Sequence, residues 1–316
     1  MINSNAQEAH ELQTTDKVLM ISPDTFQFNE QTAATNSFQK DLSAGIEMKR
    51  KVMKEFAGMV SELRAHHIHV ITLSSRADVA TPDAVFPNNW FSTHTANGER
   101  TIIIYPMLAE SRRLERQYDV LVQALQAEGI RIQHKYDLTR YEAQERFLEG
   151  TGSMVLDRIN RIVYAALSPR TDQTVLDDFA ETMNYTSVVF HSCDKQGNPV
   201  YHTNVVMSLG RQFAVIALDA VSDQVERDAL TAMLKMTHKN IINITLDQME
   251  NMAGNILEVR SVENLSKIIL SATAYNAFTP AQRQLLSTYG ELVVVHIETI
   301  ERLGGGSARC MLAEIF

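Results

Sequence analysis

The chain has 316 residues, with 29 Lys and Arg against 38 Asp and Glu, and 45% of its residues are hydrophobic. The formal charge of −9 excludes nucleic acids and anionic membrane surfaces as default partners, because both repel an acidic protein. Apolar runs such as 101–105 are far shorter than the roughly 20 residues of a membrane helix. No signal peptide pattern opens the chain, and two cysteines cannot form a disulfide framework. We therefore expect a cytoplasmic protein that acts on a small molecule.

Short β-branched runs alternate with amphipathic stretches along the whole chain, and no Pro-rich or Gly-rich linker interrupts them. We therefore predict a polar N-terminal segment at 1–16 and a single domain at 17–316. The predicted strands are 17–21, 68–73, 101–106, 130–134, 154–156, 161–165, 187–190, 205–207, 213–217, 240–244, 256–259, 267–271 and 292–296. The predicted helices are 41–64, 111–127, 173–183, 223–236, 246–249 and 281–289.

The order of these elements indicates an α/β fold but not a dinucleotide-binding one. The turn after the first predicted strand, at 20–24, lacks the glycines that such a fold needs to approach a phosphate. Groups of strands and helices recur about every 50 to 70 residues, which suggests ββαβ-like units closed around an axis. The period alone leaves an α/β arrangement without repeats equally open.

The two cysteines lie in different settings. Cys310 ends a glycine-rich run at 304–310, where the backbone can approach a ligand closely and the adjacent Arg309 favours a thiolate. Cys193 lies in a turn-rich stretch at 191–199 that indicates a surface loop, where a small buried hydrophobic residue is the simpler interpretation of a lone cysteine. Cys310 is therefore the candidate nucleophile.

A catalytic thiol needs a group that moves protons, and ten histidines are available. His202 lies directly before the apolar run 205–207, which places a polar side chain at the entrance to a core strand. His66, His67 and His69 lie close together in sequence, but alternating strand positions point to opposite faces, so a helix-to-strand junction is favoured over a metal site.

Two further polar stretches are candidates, although each one alone is typical of an ordinary turn. Glu149 lies beside two glycines before an apolar strand. The adjacent amides Asn88 and Asn89 precede the single tryptophan, Trp90.

In their order along the chain, four motifs resemble the guanidine-modifying enzymes, the superfamily of arginine deiminases, dimethylarginine dimethylaminohydrolases and amidinotransferases. They are Asn-Asn-Trp-Phe at 88–91, Glu-Gly at 149–150, His-Thr-Asn at 202–204 and Gly-Gly-Gly-Ser-Ala-Arg-Cys at 304–310. The resemblance covers about 17–316. It implies a five-bladed α/β propeller, the pentein fold, built from ββαβ-type repeats in a single domain, with no metal and no organic cofactor.

The resemblance also implies a role for each motif residue. Cys310 is expected to attack the central carbon of the substrate, His202 to act as general acid and base, and Glu149 to bind substrate nitrogens. The residues expected to contact substrate are Asn88, Asn89, Trp90, Asn204 and Arg309.

This sequence departs from the family pattern where amides replace expected carboxylates. Arginine deiminases typically carry Asp at the position of Asn204, and both deiminases and dimethylarginine hydrolases carry Asp in the loop that holds Asn88 and Asn89. An amide suits a neutral ureido group, whereas a buried guanidinium cation needs balancing carboxylates. The motifs therefore resemble the citrulline hydrolase branch, which implies conversion of citrulline to ornithine, ammonia and carbon dioxide.

Three other functions remain open: a hydrolase of arginine or dimethylarginine, an amidinotransferase, and a non-catalytic binding pentein. We expect cationic His202 or Arg309 to help hold a thiolate, and Arg76, Arg170 or Arg309 to bind the substrate carboxylate. The stretch 251–255 is a second place that could line the site, although a helix C-cap is the favoured interpretation. The sequence leaves open whether the protein forms a homo-oligomer.

Overall fold

The computed structural model describes residues 12–41, 45–96 and 98–316. Within them, fifteen strands form five three-stranded sheets. The strands are β1 (Lys17–Ile21), β2 (His69–Leu73), β3 (Phe91–Ala96), β4 (Glu99–Ile104), β5 (His134–Asp137), β6 (Val155–Asp157), β7 (Ile162–Leu167), β8 (Thr186–His191), β9 (Met207–Leu209), β10 (Phe213–Ile216), β11 (Asn240–Asn243), β12 (Leu257–Arg260), β13 (Ser266–Ser271), β14 (Glu291–Val295) and β15 (Ala313–Ile315).

The helices of the described residues connect and flank these sheets. They are α1 (Glu30–Ala33), α2 (Ile46–Ala65), α3 (Glu110–Arg113), α4 (Tyr118–Ala127), α5 (Gly150–Ser153), α6 (Gln173–Met183), α7 (Thr203–Val206), α8 (Gln224–Met236), α9 (Leu246–Glu250), α10 (Ala272–Ala277), α11 (Pro280–Ser287) and α12 (Glu298–Gly304). Short 3-10 helices occur at Pro87–Asn89, Thr139–Gln144 and Leu218–Ala220.

All five sheets share one topology, in which two antiparallel strands are followed by a helical crossover to a third strand parallel to the second. Four blades are continuous in sequence. The first blade is not, because β15 at the end of the chain pairs antiparallel with β1, with Lys17 opposite Ile315. The C-terminal strand therefore closes the ring, and the fold is the predicted single-domain α/β propeller of ββαβ units.

Most predicted elements are confirmed, and the differences have local causes. The strand predicted at 130–134 is wrong, because the chain first turns and pairs with β4 only from His134. The strand predicted at 205–207 begins as the helical turn α7. The helix predicted at 111–127 is two helices, α3 and α4. The helix predicted at 41–64 begins at Ile46, and residues 42–44 of that prediction lie outside the described residues.

Of the predicted N-terminal segment, residues 1–11 lie outside the described residues. The side chains of Gln13, Thr14 and Thr15 are buried. Gln13 Nε2 donates to the Leu156 carbonyl at 2.8 Å, and its Oε1 accepts from the Arg158 amide at 2.8 Å. This end of the segment thus packs on the propeller through hydrogen bonds rather than apolar contacts. No helix in the described part of the chain is long and apolar enough to cross a membrane.

Candidate active site

A short turn precedes the first strand of every blade, and the five turns meet around the ring. Three residues before β3, β6, β9, β12 and β15, the chain carries Asn88, Gly152, Asn204, Gly254 and Cys310. A Cβ on Gly152 would lie 2.3 Å from Asn89 Nδ2, and one on Gly254 would lie 2.2 Å from the Val205 carbonyl. Glycine is therefore required where neighbouring turns touch, and polar side chains occupy the other three positions.

Glu149 and His202 come from neighbouring turns and form a buried pair. His202 Nε2 lies 2.9 Å from Glu149 Oε2, and both side chains are at most 2% exposed. Burial lowers the pKa of His202 to about 4, although Glu149 opposes this shift. Burial alone would raise the pKa of Glu149, but the two buried arginines and His202 hold it well below its usual range. The pair is a neutral imidazole and a carboxylate, in which Nε2–H donates and Nδ1 is left as the proton acceptor.

Two buried arginines flank this carboxylate. Arg170 Nη1 lies 3.5 Å and Arg112 Nη1 lies 3.8 Å from Glu149 Oε2. Arg112 also donates to Asn89 Oδ1 at 2.6 Å and forms a two-point ion pair with Glu115, at 3.0 Å for each contact. Because each guanidinium has several partners, these cations are held in place before any ligand binds.

Asp83 is a second buried carboxylate at the site. Its Oδ2 accepts from Asn29 Nδ2 at 2.8 Å and from the Thr32 hydroxyl at 2.9 Å. Its Oδ1 has no hydrogen-bond partner among the described residues. Burial raises the pKa of Asp83, while Arg112 opposes the shift. One oxygen of this carboxylate is thus available to a ligand.

The Cys310 thiol faces amide groups. Asn255 Nδ2 lies 3.2 Å and Asn204 Nδ2 lies 3.4 Å from Cys310 Sγ. Both asparagines are at most 1% exposed, and Cys310 is 3% exposed. The described residues therefore surround the sulfur with neutral hydrogen-bond donors.

A cavity of about 10 Å³ lies between these groups, which is room for about one water. Three residues of the segment 29–41 contribute to its lining. The lining residues are Thr32, Asn36, Gln39, Asp83, Phe86, Asn89, Arg112, Arg170, Tyr201, His202, Gly304, Gly306 and Cys310. The space between these side chains is therefore smaller than an amino acid.

The structure brings most of the predicted site residues together. Asn89, His202 and Cys310 line the cavity, while Glu149 and Asn204 contact lining residues. Asn88 and Trp90 are fully buried, but neither lines the cavity, and Trp90 packs on Phe91 in the core of the molecule.

Of the three arginines predicted to bind a carboxylate, only Arg170 lines the cavity. Arg76 pairs with Asp78 at the surface. Arg309 pairs with Glu314 and donates to the Leu312 carbonyl, and it lines a separate space of about 30 Å³. Arg309 is thus not placed for substrate contact in this cavity.

Sequence reasoning missed Asp83 and Arg112 and did not favour Asn255. Neither of the first two was singled out: Asp83 lies five residues before Asn88, and Arg112 lies at the start of the helix predicted at 111–127. Asn255 lies in the stretch 251–255, whose cluster of Asn and Gly was the available signal, and its position two residues before β12 matches that of Asn89 before β3.

The sequence profile of the family described as "N,N dimethylarginine dimethylhydrolase, eukaryotic" matches residues 22–316. A search of curated proteins found no match. Among solved structures, ArgZ, an arginine dihydrolase from the ornithine-ammonia cycle in cyanobacteria, aligns at 16% identity with a TM-score of 0.71, covering 94% of this chain and 40% of that one.

Two further structures show the same fold. AgrE in its binary complex with L-arginine aligns at 16% identity and TM-score 0.72, covering 95% of this chain and 40% of that one. SxtG, an amidinotransferase from Microseira wollei in the saxitoxin biosynthetic pathway, aligns at 16% identity and TM-score 0.69, covering 98% and 96%. This chain spans about 40% of full-length ArgZ and AgrE. It belongs to the family described as "N,N dimethylarginine dimethylhydrolase, eukaryotic", within the pentein superfamily.

Proposed function

We propose that the protein hydrolyses the ureido group of citrulline to ornithine, ammonia and carbon dioxide, with Cys310 as nucleophile. The observation that carries this proposal is the amide environment of the thiol. The side-chain amides of Asn255 and Asn204 lie within hydrogen-bonding distance of Cys310 Sγ, at 3.2 and 3.4 Å. A neutral ureido group meets matching donors and acceptors there, whereas a guanidinium would require a carboxylate.

The carboxylate paired with the candidate general base is already engaged. Glu149 contacts His202, Arg170 and Arg112, and its second oxygen accepts from the Leu108 amide at 3.1 Å. A cationic substrate would compete with these partners for the same charge. An uncharged substrate leaves them undisturbed, which supports the ureido group over the guanidinium.

The charged groups that line the cavity suit the amino acid end of the substrate. Arg112 and Arg170 can bind a carboxylate, and the free Oδ1 of Asp83 can accept from an ammonium group. Opposite charges held at fixed positions inside a buried cavity match a zwitterion. These three residues are therefore the proposed α-amino acid subsite.

The chemistry then requires only groups of this chain and one water. His202 Nδ1 takes the proton of the Cys310 thiol, and the resulting thiolate attacks the ureido carbon. The same proton then passes from His202 to the departing δ-nitrogen as that C–N bond breaks. This step releases ornithine and leaves an S-carbamoyl group on the sulfur. His202 Nδ1 then takes a proton from water, the resulting hydroxide attacks the carbamoyl carbon, and the C–S bond breaks to return the thiolate. The carbamic acid released decomposes to ammonia and carbon dioxide.

The competing candidate is hydrolysis of a guanidino group, on arginine or a methylated arginine. The matched family is described by dimethylarginine, and ArgZ is described as an arginine dihydrolase. Buried Asp83 and Glu149 also supply negative charge within the site. Amidino transfer differs only in whether water or an amine resolves the covalent intermediate.

Product analysis separates these activities. Purified protein is incubated separately with citrulline, arginine and dimethylarginine, beside a Cys310→Ala variant and a Cys193→Ala control. We expect ornithine from citrulline alone, lost in the first variant and retained in the second. Citrulline formed from arginine or dimethylarginine would instead establish guanidino hydrolysis, and no product from any of the three would direct attention to transfer.

A further inference from the structure

Asn255 contacts the nucleophile from the turn before β12, the fourth of the five turns. It is fully buried, and its Nδ2 has two acceptors, Cys310 Sγ at 3.2 Å and the Asn204 carbonyl at 2.9 Å. Asn204 directs its own Nδ2 to the same sulfur at 3.4 Å. Two side-chain N–H groups from different blades thus point at one sulfur atom.

The second contact of Asn255 determines which end of its amide faces the sulfur. Turning the amide over would place Oδ1 against the Asn204 carbonyl, so that two acceptors would meet without a hydrogen. The observed orientation directs an N–H group at the sulfur. Oδ1 lies 3.6 Å from Cys310 Sγ, a longer contact that only a protonated thiol can use. This geometry favours the anionic sulfur, because hydrogen bonds donated to a charged form stabilise that form.

We propose that Asn255 is a catalytic residue that stabilises the Cys310 thiolate by hydrogen bonding, in partnership with Asn204. The need for such a donor rests on the proposed function, because a ureido substrate brings no positive charge to balance the sulfur. Among the described residues, the hydrogen bonds to Cys310 Sγ come from amides and not from either of the two expected cations. The buried imidazole of His202 is neutral, since burial lowers its pKa to about 4, and Arg309 is engaged with Glu314.

The effect of Asn255 can be separated from that of the charged groups near the thiol. The titratable groups that line the cavity with Cys310 are Asp83, Arg112, Arg170, Tyr201 and His202, and Arg309 adjoins it in sequence. Replacing Asn255 changes none of these charges. A shift in thiol reactivity can therefore be assigned to the lost N–H donor.

The test measures the rate of alkylation of Cys310 by iodoacetamide as a function of pH, without substrate. A Cys193→Ser background leaves Cys310 as the single thiol, because the chain has two cysteines. Asn255→Leu keeps the shape of the side chain without a donor, and Asn255→Ala removes the side chain. The matched control is Asn251→Ala, from the same turn, whose exposed amide donates to the Asp247 carbonyl at 2.8 Å.

We expect both Asn255 variants to be alkylated about tenfold to a hundredfold more slowly near neutral pH, as for loss of a hydrogen bond to a charged group. The midpoint of the pH profile should move upward by about one to two units, while the control stays at the parent value. A folded Asn255 variant with the profile of the control would overturn the proposal. Circular dichroism verifies folding, and the Leu variant carries the test if the Ala variant is unfolded.

The alkylation result does not depend on the identity of the substrate. If citrulline is not hydrolysed but Asn255 shifts the profile, the proposed function fails and the role of Asn255 stands. If citrulline is hydrolysed and the pH profile does not move, the proposed function stands and the proposed role of Asn255 fails. With an active enzyme, the same variants should lower kcat for citrulline more than they raise KM, since the thiolate acts in the chemical step.

Discussion

Replacing Gly152 by Ala tests whether the meeting of the turns is what assembles the site. The φ angle of Gly152 is not positive, so alanine is allowed by the backbone and only space is at issue. The new Cβ would lie 2.3 Å from Asn89 Nδ2 and 2.7 Å from His202 Nδ1. Both neighbours are fixed, because Asn89 accepts from Arg112 at 2.6 Å and His202 donates to Glu149 at 2.9 Å.

The size of the effect follows from these distances. Ordinary contacts between carbon and nitrogen require about 1 Å more than the shortest of them, so Asn89, His202 or the Gly152 turn must move by that amount. Overpacking of this kind costs about 1 to 3 kcal/mol of stability, which lowers Tm by roughly 2 to 5 °C in a chain of this length. A 1 Å displacement of a catalytic group can cost about a hundredfold in rate, so we expect kcat/KM to fall by that factor.

Thermal unfolding and steady-state kinetics measure the two effects separately. The matched control is Gly58→Ala in α2, where a Cβ meets nothing within 4 Å. This change should raise stability by about 0.5 to 1 kcal/mol, as expected for a helix interior, and should leave kcat/KM unchanged. A Gly152→Ala enzyme with parental Tm and kcat/KM would refute the argument that contact between the turns positions His202.

Three further predictions concern the buried charges. Glu149→Gln should lower the free energy of unfolding by about 3 kcal/mol, because the positive charges of Arg112 and Arg170 lose their buried carboxylate partner. Urea denaturation measures this change, and a loss below about 1 kcal/mol would contradict the prediction. Burial lowers the pKa of His202 to about 4, whereas an unfolded His titrates near 6.5, so the unfolded chain takes up this proton first. The contribution of His202 to stability is the free energy of unfolding of the parent minus that of a His202→Gln variant. This difference should decrease as pH falls from about 6.5 to 4. A difference that does not change with pH would disprove the neutral buried imidazole. Asp83→Asn should raise KM for citrulline about tenfold to a hundredfold and change kcat little, because binding of the ammonium group is lost equally in ground and transition states. A fall in kcat at constant KM would argue against binding of the ammonium group by Asp83.

Strands and helices with a clear local signal could be predicted closely. Residues 17–21 form β1 as expected, and α6 begins at Gln173 because Asp172 caps it through the amides of Thr174 and Val175. The strand β3 was missed because it is polar, with Ser, Thr and His at four of its six positions. Three of these side chains, Ser92, Thr93 and His94, have hydrogen-bond partners, such as the Tyr105 hydroxyl at 2.6 Å from Ser92 Oγ.

The short strand β15 shows a second limit. It has three residues, too few for a periodic pattern, and it is a strand because it pairs with β1 at the other end of the chain. That pairing places Cys310 beside turns that lie 50 to 220 residues away in sequence. A contact of this kind has no local signal in the sequence.

The sequence by itself determined the alternation of strands and helices and, through four motifs in order, the family and the candidate nucleophile and base. These features depend on residue type and spacing within short windows. Only the tertiary structure decided that Arg112 and Asp83 line the cavity, that Asn255 contacts Cys310 and that Arg309 lies outside the cavity. Their placement depends on five turns meeting around one ring, where glycines allow contact and burial sets the charge state of His202.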